Sequence, residues 1–95
     1  MVAYVVAQVN VTDPERYKKY AEGATVACAK YGGKFLTRGG KVVPLEGQAP
    51  RQRNVLIEFK DVETATAYYN SAEYQAAKAH REGAADMMFF VIEGA

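Results

Sequence analysis

The chain has 95 residues, and its 12 Lys plus Arg against 11 Asp plus Glu leave a formal charge of +1 at pH 7. That balance argues against nucleic acid, whose phosphates require a concentrated positive field, and leaves room for a small local basic pocket. A composition of 49% hydrophobic and 24% charged residues is that of a single globular domain over residues 1–95. A domain this small buries only about 60–65% of its unfolded surface, so its core is thin and a partner subunit adds to it. No apolar stretch reaches the roughly 18 residues of a membrane span, and no basic leader precedes an apolar run. The expected setting is cytoplasmic. Cys28 is the one cysteine. It has no partner for a disulfide and no Cys/His spacing for a structural zinc, so it is expected as a small apolar residue of a helix.

In chain order, Val2–Val11 is a strand: Ala3, Val5, Ala7 and Val9 alternate on one face, and the other begins with Tyr4 and Val6 before turning polar. Thr12-Asp13-Pro14-Glu15 starts a helix, with Asp13 as cap and Pro14 in the first turn, or with Thr12 and Glu15 as a capping box. Tyr17, Tyr20, Ala21, Ala24, Ala27, Cys28 and Tyr31 recur at helical spacing, and Gly32-Gly33 ends the helix. Lys34–Arg38 is a second strand. Gly39-Gly40 reads as a two-residue hairpin turn, with Lys41–Leu45 as a short returning edge strand that tolerates Pro44. A polar loop leads to a strand over Arg53–Phe59, with Val55, Ile57 and Phe59 on one face and Leu56 and Glu58 on the other. Asp61 caps a helix burying Val62, Ala65, Tyr68 and Tyr69. Ser71 interrupts it and caps another, whose face holds Tyr74, Ala77, Lys78 and Arg81. Gly83 stops that helix. The last strand, Ala84–Glu93, is apolar on both sides.

This order gives an α+β fold, a ferredoxin-like split β-α-β sandwich with one antiparallel sheet and helices on one face. The other sheet face is left open, yet Tyr4, Val6, Leu56 and the last strand make it apolar. A patch of that kind predicts a homodimer formed by two open sheet faces, a dimeric α/β barrel with a two-fold, isologous interface.

The run Thr12-Asp13-Pro14, Tyr20, Tyr31-Gly32-Gly33-Lys34-Phe35-Leu36, Arg38-Gly39-Gly40, Leu45-Glu46-Gly47, Ile57-Glu58-Phe59 and Tyr69-Asn70-Ser71-Ala72-Glu73-Tyr74-Gln75 resembles the domain-of-unknown-function 1330 family. The resemblance covers essentially the whole chain and implies the dimeric α/β-barrel fold. The family has no established activity. Its structural relatives include cofactor-independent monooxygenases, muconolactone-type isomerases, haem-degrading enzymes and stress-related dimers, which commonly use a cleft between helices and sheet. Fold alone does not choose among these functions.

The residue types able to carry chemistry crowd into Tyr68–Gly83. His80 is the only side chain that titrates near neutrality, and it is a candidate general base or acid. Its spacing places it off the Tyr74–Ala77–Arg81 face, where an exposed histidine near a helix C-terminus is the plainer reading. Tyr69, Ser71 and Tyr74 flank the helix break; with Tyr20, their hydroxyls are candidates for orienting a small polar ligand, against the alternative of packing and capping. Arg38 is the candidate anchor for a carboxylate or phosphate, against an exposed arginine or an ion pair with Glu46. Glu58 lies mid-strand on the open face, either as a structural ion pair with Arg38, Arg53 or a partner-chain residue, or as a catalytic base. No second ligand accompanies His80 at metal spacing, and no phosphate loop, nucleophile elbow or dinucleotide fingerprint is present. The expected protein is a cofactor-independent, metal-free enzyme or binder for a small polar or aromatic acid held between helices and sheet, with Arg38, Tyr20, Tyr69, Ser71 and Tyr74 as ligand contacts and His80 or Glu58 as acid/base. The alternative is a non-catalytic homodimer that senses a ligand or serves a structural role.

Overall fold

A computed structural model describes residues 1–95. The elements are β1 (Ala3–Val11), α1 (Pro14–Lys30), β2 (Lys34–Arg38), β3 (Arg53–Phe59), α2 (Val62–Asn70), α3 (Ala72–Arg81) and β4 (Ala85–Glu93). The strands form one sheet in the order β2-β3-β1-β4, every neighbouring pair antiparallel. This is the ferredoxin-like arrangement that the strand and helix order implies.

The helix ends follow local chemistry. Asp13 accepts the Arg16 amide and Asp61 the Thr64 amide, each satisfying a donor that a helix start leaves free. At the end of α1, Gly32 takes φ 72°, the Gly33 amide donates to Cys28 O at 2.9 Å and the Gly32 amide to Ala29 O at 3.1 Å. Both bonds of a Schellman cap are therefore made. Gly33 is also a contact requirement: a Cβ there would lie 2.4 Å from Cys28 Sγ and 2.7 Å from Phe59 Cζ.

The core lies between the helices and one sheet face. Val5 and Val9 of β1, Ile57 and Phe59 of β3, Tyr17, Tyr20, Ala24, Ala27 and Cys28 of α1, Ala65 and Tyr68 of α2, and Tyr74 and Ala77 of α3 form one buried cluster. The helices α1 and α3 approach closely, because Gly23 presents no side chain; a Cβ there would sit 2.8 Å from Ala77 Cβ. Burial raises the Cys28 thiol, against the lowering pull of Arg38, which suits an inert core residue.

One expected element is absent. Residues 41–45 form no strand, and Gly39-Gly40 is not a hairpin turn. The partner of β2 is β3 itself, from Lys34↔Glu58 to Arg38↔Val55, and the Gly39 amide donates to Asn54 O at 3.0 Å. Only the outer edge of β2 remained for a returning strand, and Pro44 lacks the N–H that such a strand would donate. Val43 and Leu45 are left exposed.

Candidate functional site

A narrow cleft of about 40 Å³ opens between α1 and the helix-facing side of the sheet, room for a few water-sized groups. From α1 it is walled by Tyr17, Tyr20, Ala21, Ala24 and Thr25. The sheet supplies Ala7 from β1, Phe35 and Arg38 from β2, Val55 and Ile57 with Arg53 from β3, and Met87 and Phe89 from β4. Tyr68 of α2 completes the lining. Its charged members are the two arginines.

Arg38 reaches this face because of an irregularity. Phe35 pairs with Ile57, but Thr37 pairs with Leu56 and Arg38 with Val55, so a bulge at Leu36 shifts the register by one residue. Phe35 and Arg38, three residues apart, thus point to the same side of the sheet. The Arg38 guanidinium carbon lies 3.7 Å from the Phe35 ring centroid, and Nη1 donates to Thr25 Oγ1 of α1 at 3.4 Å. The cation is thus stacked on an aromatic face and tied across the cleft while still exposed. It has no ion-pair partner, Glu46 included; the chain's ion pairs are Lys30–Glu73 and Arg51–Asp86.

The tyrosines divide. Tyr20 and Tyr74 share a hydrogen bond between hydroxyls, 2.8 Å apart and buried. Tyr68 donates to Ala24 O at 3.3 Å. Burial, reinforced by Tyr74, pushes the Tyr20 hydroxyl far above the ordinary phenol range, and the same causes raise Tyr68. Burial also raises Tyr17, although Arg53 opposes it. These hydroxyls stay protonated and offer neutral hydrogen bonds, not bases.

The expectation that Arg38, Tyr69 and Tyr74 meet in one cleft is not met. Tyr20 and Arg38 line it; Tyr74 is fully buried behind Tyr20, and Tyr69 lines a separate shallow groove with Thr66, Phe89, Phe90 and Val91. The cause is the closed hydroxyl pair, which turns Tyr74 into the core. Ser71 is occupied as the cap between α2 and α3: its Oγ accepts the Tyr74 amide at 3.0 Å and donates to Tyr68 O at 2.7 Å. His80 is exposed on the outer side of α3, and Glu58 stands on the open face of the sheet, opposite the cleft, in register with Tyr4 and Lys34. Glu58 forms no ion pair with Arg38 or Arg53, because the two arginines project to the other face. Neither acid/base candidate lines the cleft. Arg53, Thr25 and Phe35, by contrast, belong to it without having been candidates as ligand contacts. A signal for Arg53 was present: it shares the alternation of Val55, Ile57 and Phe59 and so places a charge on the core face.

The elements and their order define a ferredoxin-like α+β domain with a narrow cleft between helix and sheet. Within that class the chain belongs to the family described as Domain of unknown function (DUF1330), whose model matches residues 2–95. Among solved structures, it is similar to a protein of unknown function from Rhodopseudomonas palustris (18% identity, 99% of this chain and 82% of that one, TM-score 0.78). It is also similar to a dimeric ferredoxin-like protein of unknown function from Jannaschia sp. CCS1 (12% identity, 99% and 100% covered, TM-score 0.73). A third is SnoaB, a cofactor-independent oxygenase from Streptomyces nogalater (8% identity, 99% and 93% covered, TM-score 0.69). At these identities the likeness is one of fold. No curated protein matches the sequence. No helix is long and apolar enough to cross a membrane.

Proposed function

We propose that the protein is a homodimeric binder of a small, mainly apolar organic acid, its carboxylate on Arg38 at the mouth of the cleft between α1 and the sheet and its body entering the cleft only in part. The observation that carries this reading is the cleft itself: apolar walls, no carboxylate in the lining, and an arginine without an ion-pair partner at its mouth. Few precisely placed polar groups in an apolar slot are what small-molecule sites present. The reading is of binding and not of acid–base turnover. The cleft's ionisable side chains are arginines and tyrosines whose hydroxyls remain protonated, and neither His80 nor Glu58 reaches it. A general base must stand within hydrogen-bond reach of the proton it takes.

The dimer is part of the same proposal. On the open face, Met88 is 43%, Phe90 42% and Ile92 53% exposed, and Tyr4, Val6 and Leu56 stand beside them in register. Several structures of similar fold, the Jannaschia protein among them, are described as dimeric. A second copy covers this patch while leaving the cleft, on the opposite side of the sheet, open to ligand.

Thermal-shift screening of organic acids tests the binding. A ligand held only by the folded chain raises the melting temperature, by about 2.7 kcal/mol of added stability at 100 times Kd. A small aromatic acid such as benzoate is expected to raise it, acetate much less, and Arg38→Ala to abolish the shift. Shifts unchanged in Arg38→Ala would remove Arg38 as the anchor; no shift with any acid would remove the reading.

A further inference from the structure

The cleft is lined by two cationic groups, and they meet α1 at different residues. Arg38 is tied to Thr25 of α1, whereas the Arg53 guanidinium carbon lies 5.9 Å from the Tyr17 ring centroid. Tyr17 and Thr25 are two turns apart on α1, roughly 12 Å along its axis at 1.5 Å per residue. Neither arginine has an ion-pair partner, and Arg53 Nε is buried without a hydrogen-bond partner.

Arg53 is also given a seat. Gly39 has φ 71°, and a Cβ there would lie 2.6 Å from Arg53 Nη1. The glycine therefore admits both a backbone conformation that favours it and a guanidinium packed against its Cα. The rest of the lining is mainly apolar, Ala21, Ala24, Val55 and Ile57 among it.

Two guanidinium forks without carboxylate partners, lining one mainly apolar cleft and meeting α1 two turns apart, are complementary to a molecule with two anionic groups joined by an apolar body. We infer that the ligand class is a slender dicarboxylic acid, one carboxylate on Arg38 and the other on Arg53. This rests on the ligand-binding reading above and names the acid it takes. A monocarboxylate engages one fork and forgoes the second set of charge-assisted hydrogen bonds.

Isothermal titration of the intact protein at low ionic strength tests the inference, with hexanoate, benzoate, adipate, suberate and terephthalate as probes. At least one dicarboxylate is expected to bind tenfold or more tighter than the monocarboxylate of matching carbon body. Arg38→Ala and Arg53→Ala are each expected to reduce that dicarboxylate to the monocarboxylate level. Equal affinities for the two classes in the unaltered protein would overturn the dicarboxylate assignment and leave the binding reading standing. An advantage that survives both substitutions would also overturn the assignment. No binding by either class would overturn both. The comparison within the unaltered protein decides the matter even if a variant fails to fold.

Discussion

Tyr74→Ala is expected to destabilise the protein by about 3–5 kcal/mol, the range for truncating a large buried aromatic side chain. That is a large share of the 5–15 kcal/mol typical of a whole domain. The melting temperature is expected to fall by more than about 12 °C, at roughly 4–8 °C per kcal/mol for a chain of this size. The reason is the position of the ring. Tyr74 is fully buried, and its centroid lies 5.0 Å from that of Tyr68, 5.2 Å from Tyr69, 5.6 Å from Phe89 and 5.9 Å from Tyr20. One side chain of α3 thus joins α1, α2 and β4. The hydroxyl makes a separable contribution. Tyr74→Phe leaves the Tyr20 hydroxyl buried without its partner and is expected to cost about 1–3 kcal/mol, whereas Tyr20→Phe with Tyr74→Phe removes both and is expected to cost less than the two single changes added together. Urea denaturation of the four proteins measures the coupling. An additive cycle would mean that the two hydroxyls do not act as a pair.

Phe90→Lys combined with Ile92→Lys is expected to convert the proposed dimer to a monomer. Both side chains lie on the open face of β4, opposite Val6 and Tyr4 of β1. In an isologous interface every substitution is met twice, so two added lysines bring four charges into an apolar contact. The association constant is expected to fall at least ~100-fold, equivalent to about 2.8 kcal/mol at 1.4 kcal/mol per factor of ten. Light scattering at micromolar concentration reads the change as a mass falling from twice 10.4 kDa to 10.4 kDa. A 10.4 kDa mass for the unaltered protein would remove the dimer proposal, and an unchanged dimeric mass in the variant would move the interface elsewhere.

Much of the fold was legible because its signals are local or strictly periodic. Asp13-Pro14, Gly32-Gly33, Asp61 and Ser71 mark helix ends by backbone chemistry, and the odd-numbered residues of β1 declare the buried face by alternation. The strand expected at residues 41–45 failed because valines and a glycine pair look alike whether or not an edge awaits them; pairing is a non-local fact, and β3 already held β2. The site was less legible for the same reason. A run of reactive residue types at Tyr68–Gly83 proved to be a cap, a buried hydroxyl pair and an exposed histidine. Whether Tyr74 opens to a cleft or closes on Tyr20 depends on how α3 lies against α1, a contact across 54 residues of sequence. Arg38 was found by chemistry, but its face depends on the bulge at Leu36, which strict alternation does not contain. Arg53 was readable as a charge among core positions and was taken only as a partner for Glu58.

The most direct test of the account is a titration of the isotope-labelled protein with benzoate, followed by amide chemical shifts. The account predicts saturable changes centred on Thr25, Phe35, Arg38 and Phe89, the residues around the cleft, and their loss in Arg38→Ala. Changes centred on Phe90 and Ile92 of the open sheet face, or around His80, or none at all, would contradict it.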